Sequence, residues 1–246
     1  VTRWPYPRWI AHRGAGKLAP ENTLAAFRLG AAHGFRAFEC DVKLSADGVP
    51  FLLHDATLGR TTNGRGPASA LPWAELSRLD AGSWHGRSHA GEPPASLDAV
   101  AAFVLANGFA LNIELKPSPG QAGATGDVVA RHAARRWAGA AVPPLLSSFE
   151  PDALAAARAA APNLPRALLL ERLADGWFEQ ARSLGCVAVV AQYALFDAGV
   201  VAQLHDAGLK ALAYTVNDPA SAQWLIGLGL DGLITDAIDR FAPALG

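Results

Sequence analysis

Methionine is absent from this chain of 246 residues, cysteine occurs twice and tyrosine three times. Cys40 and Cys186 lie far apart in apolar segments, which excludes a disulfide framework and a paired-thiolate metal site. Both read as small buried hydrophobes. An excess of positive charge is also missing: 21 Lys and Arg stand against 22 Asp and Glu, a net charge of −1. General binding to nucleic acid or to an anionic bilayer needs basic runs, so neither partner is expected and any phosphate must be recognised locally. No apolar run reaches the roughly 18 residues of a membrane span, and the start VTRWPYPRW lacks the apolar stretch of a signal peptide. A cytoplasmic location without stable membrane association is therefore expected, and the missing methionine leaves a removed leader compatible with the sequence.

What is present is apolar chain in regular packets. Of all residues 51% are hydrophobic and 17% charged, the balance of a folded globular protein. Strand-like runs rich in β-branched and aliphatic residues recur at Trp9–His12, Ala37–Leu44, Ala110–Lys116, Leu145–Phe149, Ala167–Leu170, Val187–Ala191, Ala211–Val216 and Gly232–Thr235. Helical spacing follows at Asn22–His33, Leu97–Asn107, Gly126–Ala138, Pro151–Ala161, Leu173–Leu184, Ala198–Asp206 and Pro219–Leu228, with a short last helix expected after Asp236. Asn22, Ser96 and Asp218 suit helix N-caps, and glycines such as Gly34 and Gly108 stand where helices should stop.

Eight such repeats predict a single (β/α)8 TIM barrel over residues 1–246, in preference to two small domains or an open doubly wound sheet. From about Ala46 to Pro94 the rhythm breaks. A second apolar run, VPFLLHD, follows the tight-turn signal ADG and leads into a glycine- and serine-containing stretch. We read this as an insertion between strand two and its helix; loops that long in compact domains are usually functional.

Sites in parallel barrels are built at the carboxyl ends of the strands. Strand one ends in His12 and Arg13, strand two carries Glu39 and Asp41, the added run ends in His54 and Asp55, and the next barrel strand carries Glu114 and Lys116. The two-residue spacing puts Glu39 and Asp41 on one face with Cys40 opposite, and Glu114 can reach the same point from its own strand. Three converging carboxylates repel one another, and one divalent cation removes the conflict; all-oxygen ligation suits Mg²⁺ or Ca²⁺. The competing reading is two buried ion pairs, Glu39 with Arg13 and Glu114 with Lys116. Barrel interiors are normally filled by branched aliphatics, however, so this many charges are costly unless used.

His12 and His54 titrate near neutral pH and suit a general acid and base, while Arg13 and Lys116 suit an anion. One hard cation, two imidazoles and two fixed positive charges fit a phosphate ester. At later strand ends Phe149 and Tyr214 are expected to line the pocket, with Trp84 of the insertion as a lid.

The stretches HRG, PENTLAAF, ECDVKLSADGVPFLLHDATLGRTTNGRG, IELK, YTVN and DGLITD, in this order, resemble the bacterial glycerophosphodiester phosphodiesterases. The resemblance covers almost the whole chain. It implies a (β/α)8 barrel with an insertion after strand two, one divalent cation, and hydrolysis of small glycerophosphodiesters to glycerol 3-phosphate and an alcohol. It further implies His12 and His54 as the acid/base pair, Glu39, Asp41 and Glu114 as metal ligands, and Arg13 and Lys116 as phosphate contacts. Two alternatives stand beside it: a hydrolase of lysophospholipids or other larger diesters, for which no lysine-rich interfacial helix is visible, and a phosphoester-binding barrel without turnover.

Overall fold

In the computed structural model, which describes residues 4–241 and 243, the alternating pattern closes on itself. Among the described residues nine strands form: β1 (Trp9–Ala11), β2 (Ala37–Leu44), β3 (Pro50–Leu52), β4 (Ala110–Leu115), β5 (Leu145–Ser148), β6 (Arg166–Leu170), β7 (Ala188–Gln192), β8 (Lys210–Tyr214) and β9 (Gly232–Thr235). β1 pairs in parallel with both β2 and β9, and the remaining neighbours from β4 to β9 are parallel as well, so eight strands make a closed TIM barrel. β3 lies outside this ring, antiparallel to β2. The helices are α1 (Leu24–Ala32), α2 (Trp73–Leu76), α3 (Leu97–Ala106), α4 (Ala122–Arg136), α5 (Pro151–Ala160), α6 (Trp177–Ser183), α7 (Ala198–Asp206) and α8 (Pro219–Gly227).

The period of two along each strand separates two cores. Residues such as Phe38, Cys40, Val42, Leu111 and Ile113 point outward and pack under the helices. Ile10, Ala37, Ala110, Leu145, Ala167 and Ala188 point inward and form the lower tier of the barrel interior. Trp4 and Tyr6 pack against that tier, edge to face with ring centroids 4.6 Å apart, and the Tyr6 hydroxyl donates to the Pro143 carbonyl at 3.0 Å. The base of the barrel is thereby filled with aromatic rings, and polar chemistry is confined to the opposite end.

Several boundaries differ from expectation. Thr23, not Asn22, caps α1, its hydroxyl accepting from the Ala26 amide, because Asn22 is used elsewhere. Ser96 and Asp218 cap α3 and α8 as expected. α6 starts only at Trp177 because Gly176 turns left-handed at φ 77°. Residues 237–241 form a turn, with the Arg240 amide donating to the Ala237 carbonyl, and most of the remaining segment in which a short last helix is expected lies outside the described residues. Phe241 stacks on Trp9 at 4.2 Å, so the turn is held by ring contact with β1.

α4 starts at Ala122, upstream of the expected Gly126, because packing against α5 overrides the low helix propensity of glycine. A Cβ on Gly126 would lie 2.1 Å from the Ala153 carbonyl oxygen. Gly126→Ala is therefore expected to destabilise the protein by about 1–3 kcal/mol through overpacking, despite the better propensity of alanine. A melt several degrees lower with unchanged activity at 25 °C is the expected result; an unchanged or raised Tm would contradict it.

The stretch between β2 and α3 begins with a turn in which the Ser45 hydroxyl accepts from the Val49 amide at 2.9 Å. β3 then pairs Leu52 with Val42 and Pro50 with Leu44. Beyond it, Phe51, Leu53, Leu58, Ala68 and Leu76 bury one another in a small separate core. The insertion thus has packing of its own, and its first strand delivers His54 to the barrel mouth.

Candidate active site

The loop after β1 is folded tightly. Arg13 adopts φ 51° and Gly16 φ 56°, and a Cβ on Gly16 would sit 2.1 Å from the Asp236 carbonyl oxygen. Only glycine permits that approach. The contact sets the His12 imidazole against the end of β9, where Nδ1 lies 2.6 Å from Asp236 Oδ1. Asp236 is itself fixed by Asn217, whose side-chain amide donates to Oδ2 at 3.2 Å and whose Oδ1 accepts from the Asp236 amide at 2.8 Å. An imidazole held by a carboxylate at Nδ1 has one tautomer when neutral, with Nε2 left free as the acceptor.

The register places the acids together. β2 and β4 pair Glu39 with Asn112 and Asp41 with Glu114. Glu39, Asp41 and Glu114 are all buried, and each offers an oxygen within 4.8 Å of the others. Among the described residues this is the only such group of three or more potential metal ligands. Arg13 divides its contacts: its backbone amide donates to Glu39 Oε2 at 3.0 Å, while its guanidinium reaches Glu21 at 2.8 Å and Asp41 at 3.2 Å. Lys116 lies 2.7 Å from Glu114 and 3.8 Å from Asp41. The Asn22 amide donates to Asp41 Oδ2 at 2.8 Å, which explains its left-handed φ of 61°.

Of the two ion pairs in the competing reading, Glu114 with Lys116 forms, and Glu39 with Arg13 does not. Glu39 receives no guanidinium, only a backbone amide, and His12 Nε2 stands 3.7 Å away. Glu39 Oε1 is buried without any hydrogen-bond partner. A buried carboxylate oxygen with no donor, between two further carboxylates, suits a hard divalent cation, and the all-oxygen set fits that group.

His54 follows β3, its Nδ1 2.7 Å from Asp55 Oδ1. Arg60 grips Asp55 at 2.6 Å and Glu21 at 2.7 Å, tying the insertion to the loop after β1. Lys43, almost fully buried two residues beyond Asp41, donates to the backbone carbonyls of His54 and Lys116, both at 3.2 Å.

Burial, with the neighbouring Asp41 charge, pushes the Glu39 carboxyl up to about 8 and the Glu114 carboxyl up to about 7. Burial acts on Asp41 in the same direction, but Arg13, Lys116, His54 and the Asn22 hydrogen bond outweigh it and hold Asp41 below its ordinary value. For His12, burial is outweighed by Asp236 and Glu39, and the imidazole is raised; for His54, burial dominates and lowers it.

The two raised carboxyls mean that the metal-free native state holds more protons than the unfolded chain from about pH 4.5 to 8. Their contribution to stability is present at low pH and is lost as pH rises through that window. A divalent cation held by these acids would displace the same protons, so its binding would strengthen with pH. Added Mg²⁺ or Ca²⁺ is expected to raise the Tm of chelator-treated protein more at pH 8.5 than at pH 6, by about 2–4 °C for each additional kcal/mol of binding. Equal shifts at both pH values, read by scanning calorimetry, would refute this linkage.

A cavity of about 390 Å³ opens on the group, lined by His12, Arg13, Glu39, Glu114, Lys116 and His54. Phe149 and Tyr214 line it too, edge to face at 5.8 Å, with Lys116 Nζ 5.3 Å from the centre of the Phe149 ring. Trp84 does not reach this cavity. It lines an adjoining one of about 330 Å³ that shares His12 and Arg13, and its indole N–H donates to the Ala81 carbonyl at 2.8 Å. A third cavity, about 460 Å³, shares His54, Glu114 and Lys116 and extends past Ser118 and Gly120.

Asp236, Glu21, Arg60 and Asn112 escape a reading by strand ends. Asp236 lies just past its strand, and Glu21 and Arg60 sit in loops. Asn112 had a signal, standing two residues before Glu114 and so on the same face.

The family model for the glycerophosphoryl diester phosphodiesterase family matches residues 12–240. The chain belongs to this family of hydrolases. It is 31% identical over 238 residues to a glycerophosphodiester phosphodiesterase of Caldanaerobacter subterraneus, with 92% of this chain and 93% of that one covered. Among solved structures, it resembles an Oleispira antarctica phosphodiesterase in complex with the product sn-glycerol-3-phosphate, at 36% identity and TM-score 0.92 over 98% of this chain and 97% of that one. A glycerophosphodiester phosphodiesterase from Agrobacterium tumefaciens superimposes with TM-score 0.81 at 28% identity, covering 96% of this chain and 99% of that one. Among the described residues no helix is long and apolar enough to cross a membrane.

Proposed function

We propose that this family member hydrolyses small glycerophosphodiesters to sn-glycerol 3-phosphate and an alcohol, working as one catalytic barrel whose insertion supplies His54. The observation that carries the reading is the meeting of Glu39, Asp41 and Glu114 within 4.8 Å of one another, beside the cavity that Glu39, Glu114 and both imidazoles line. These three side chains would hold one divalent cation, Mg²⁺ or Ca²⁺. Such an ion, when bound, offsets negative charge developing on the phosphoryl oxygens.

The chain's own residues do the rest. Arg13 and Lys116 present positive charge beside the acids and orient the phosphate. Hydrolysis forms one P–O bond from water, or from the neighbouring glycerol hydroxyl through a cyclic phosphate that is then opened, and breaks the P–O bond to the alcohol. One imidazole takes the proton of the nucleophile at Nε2 while the other returns a proton to the departing alkoxide. Asp236 and Asp55 hold the two Nδ1 atoms, so each ring is oriented before substrate arrives. Phe149 and Tyr214 form the apolar wall that limits water around the diester, while Trp84 borders the adjoining cavity and could cover an emerging alcohol.

A panel of glycerophosphocholine, glycerophosphoethanolamine and a lysophospholipid, assayed for glycerol 3-phosphate release with and without chelator, tests the reading. Release from the small diesters only, abolished by chelator and restored by Mg²⁺ or Ca²⁺, is expected. Full activity in thoroughly chelated protein, or a preference for the lysophospholipid, would sink it.

A further inference from the structure

One buried polar group below the acids is not used by the mechanism above. Asn112 is the β4 register partner of Glu39 and stands two residues before Glu114, so its side chain shares their inward face. It is 4% exposed, lines the same cavity as the acids, and its Oδ1 has no hydrogen-bond partner. Ser147, the register partner of Glu114 on β5, likewise buries an unpartnered hydroxyl. Leu169 and Ile234 also line this cavity and belong to the apolar inner tier, with Phe149 and Tyr214 packed against it. The cavity is therefore polar toward β4, and in its deeper part apolar toward β6 and β9, with the exposed Glu171 just past β6 as the one charged residue on that side.

A buried amide oxygen without a partner is costly, and native proteins seldom leave one so. The fixed charges suited to a phosphate, Arg13 and Lys116, flank Asp41, one step further toward the mouth. An amide is both donor and acceptor and has no charge, which suits a neutral hydroxyl better than an anion. A short polyol has the complementary form: hydroxyls on one side and C–H groups on the other.

We propose that Asn112 is a specificity-determining residue that hydrogen-bonds a hydroxyl of the glycerol arm, while Leu169 and Ile234 take up its carbon face. This rests on the phosphodiesterase reading above and assigns the recognition of the polyol within the same cavity. A site built to hydrogen-bond a hydroxyl rejects the analogue lacking it, because its polar group is then left unpaired.

The test compares glycerophosphocholine with propyl phosphocholine, the same diester without the two glycerol hydroxyls, on the wild type, on Asn112→Leu and on the smaller Asn112→Ala. The wild type is expected to prefer glycerophosphocholine. In either variant kcat/KM for glycerophosphocholine should fall roughly 10- to 100-fold, while the value for propyl phosphocholine changes less than about threefold; this double difference isolates the contact. Equal losses on both substrates would assign Asn112 a supporting role under the acids, and no loss on either would leave it to a buried water. Both results overturn the proposal. If Asn112→Leu fails to fold, Asn112→Ala decides. If the wild type turns over neither diester with divalent cation present, the phosphodiesterase reading fails separately; if it cleaves glycerophosphocholine alone, as the cyclic route requires, the kinetic comparison on propyl phosphocholine is replaced by binding. Calorimetric binding of sn-glycerol 3-phosphate against propyl phosphate then still decides the role of Asn112: a preference for the former that Asn112→Ala removes supports it, and equal binding refutes it.

Discussion

His12→Ala and His54→Ala are each expected to lower kcat by roughly 10²- to 10⁴-fold, the usual worth of a positioned acid or base, with KM nearly unchanged. The geometry gives the reason for the size and for the split. Each ring is fixed at Nδ1 by a carboxylate, His12 by Asp236 at 2.6 Å and His54 by Asp55 at 2.7 Å. Neither is needed to gather the acids, which meet through the β2–β4 register. Substrate binding should therefore survive while proton transfer does not. Asp236→Ala should lose part of the same factor, since the His12 ring would keep its nitrogens but not its orientation. Steady-state kinetics on glycerophosphocholine with saturating divalent cation measures all three. Retention of near-normal kcat by either histidine variant would remove that ring from the mechanism, and a rise in KM alone would reassign it to binding.

Glu39→Gln should produce two large effects of opposite sign. The substitution keeps the volume and an oxygen able to accept from the Arg13 amide, but removes a charge that His12 and Arg13 offset only in part, neither side chain hydrogen-bonding it. Burial and Asp41 already work against that charge, raising the Glu39 carboxyl to about 8. Without metal, the variant should therefore melt several degrees above the wild type at pH 8.5, and the difference should vanish toward pH 5, where Glu39 is protonated in the wild type. With metal the order reverses: the variant should bind Mg²⁺ or Ca²⁺ far more weakly in calorimetry. Its turnover should fall by about 10³-fold or more, as loss of several kcal/mol of charge stabilisation implies. A variant both less stable and still active would mean that Glu39 is a structural acid. The sacrifice of stability at a working site is a known compromise; here it is assigned to one oxygen.

Much of this was readable in the chain, for identifiable reasons. Strand positions carry a period of two, so the shared face of Glu39 and Asp41, and of Glu114 and Lys116, follows from spacing alone. All eight barrel strands appeared within a few residues of expectation, because β-branched and aliphatic runs bounded by turn residues are strong local signals. The convergence of the three acids required only that neighbouring strands be in register.

What was not legible depends on distant or competing contacts. The His12–Asp236 pair joins the first strand to the loop after the last, 224 residues apart. It exists only because the ring of strands closes. Asn22 has the residue type of a helix cap, but the Asp41 carboxylate claims its amide, and Thr23 takes the cap instead. Gly126 carries a poor local propensity inside a long helix because the neighbouring backbone approaches it. Trp84 could be assigned to the insertion but not to a particular cavity, since an irregular loop offers no period from which to infer a direction.

The antiparallel pairing of β3 with β2 makes the backbone ladder a ruler between Asp41 and His54. Leu52 faces Val42 across it, and the Leu53 amide donates to the Asp41 carbonyl at 3.1 Å. Lengthening the turn at Asp47 would leave this scale intact. One extra residue between Phe51 and Leu53 would shift it by a single division and turn the imidazole to the opposite side of the strand, even with every side chain of the site still encoded.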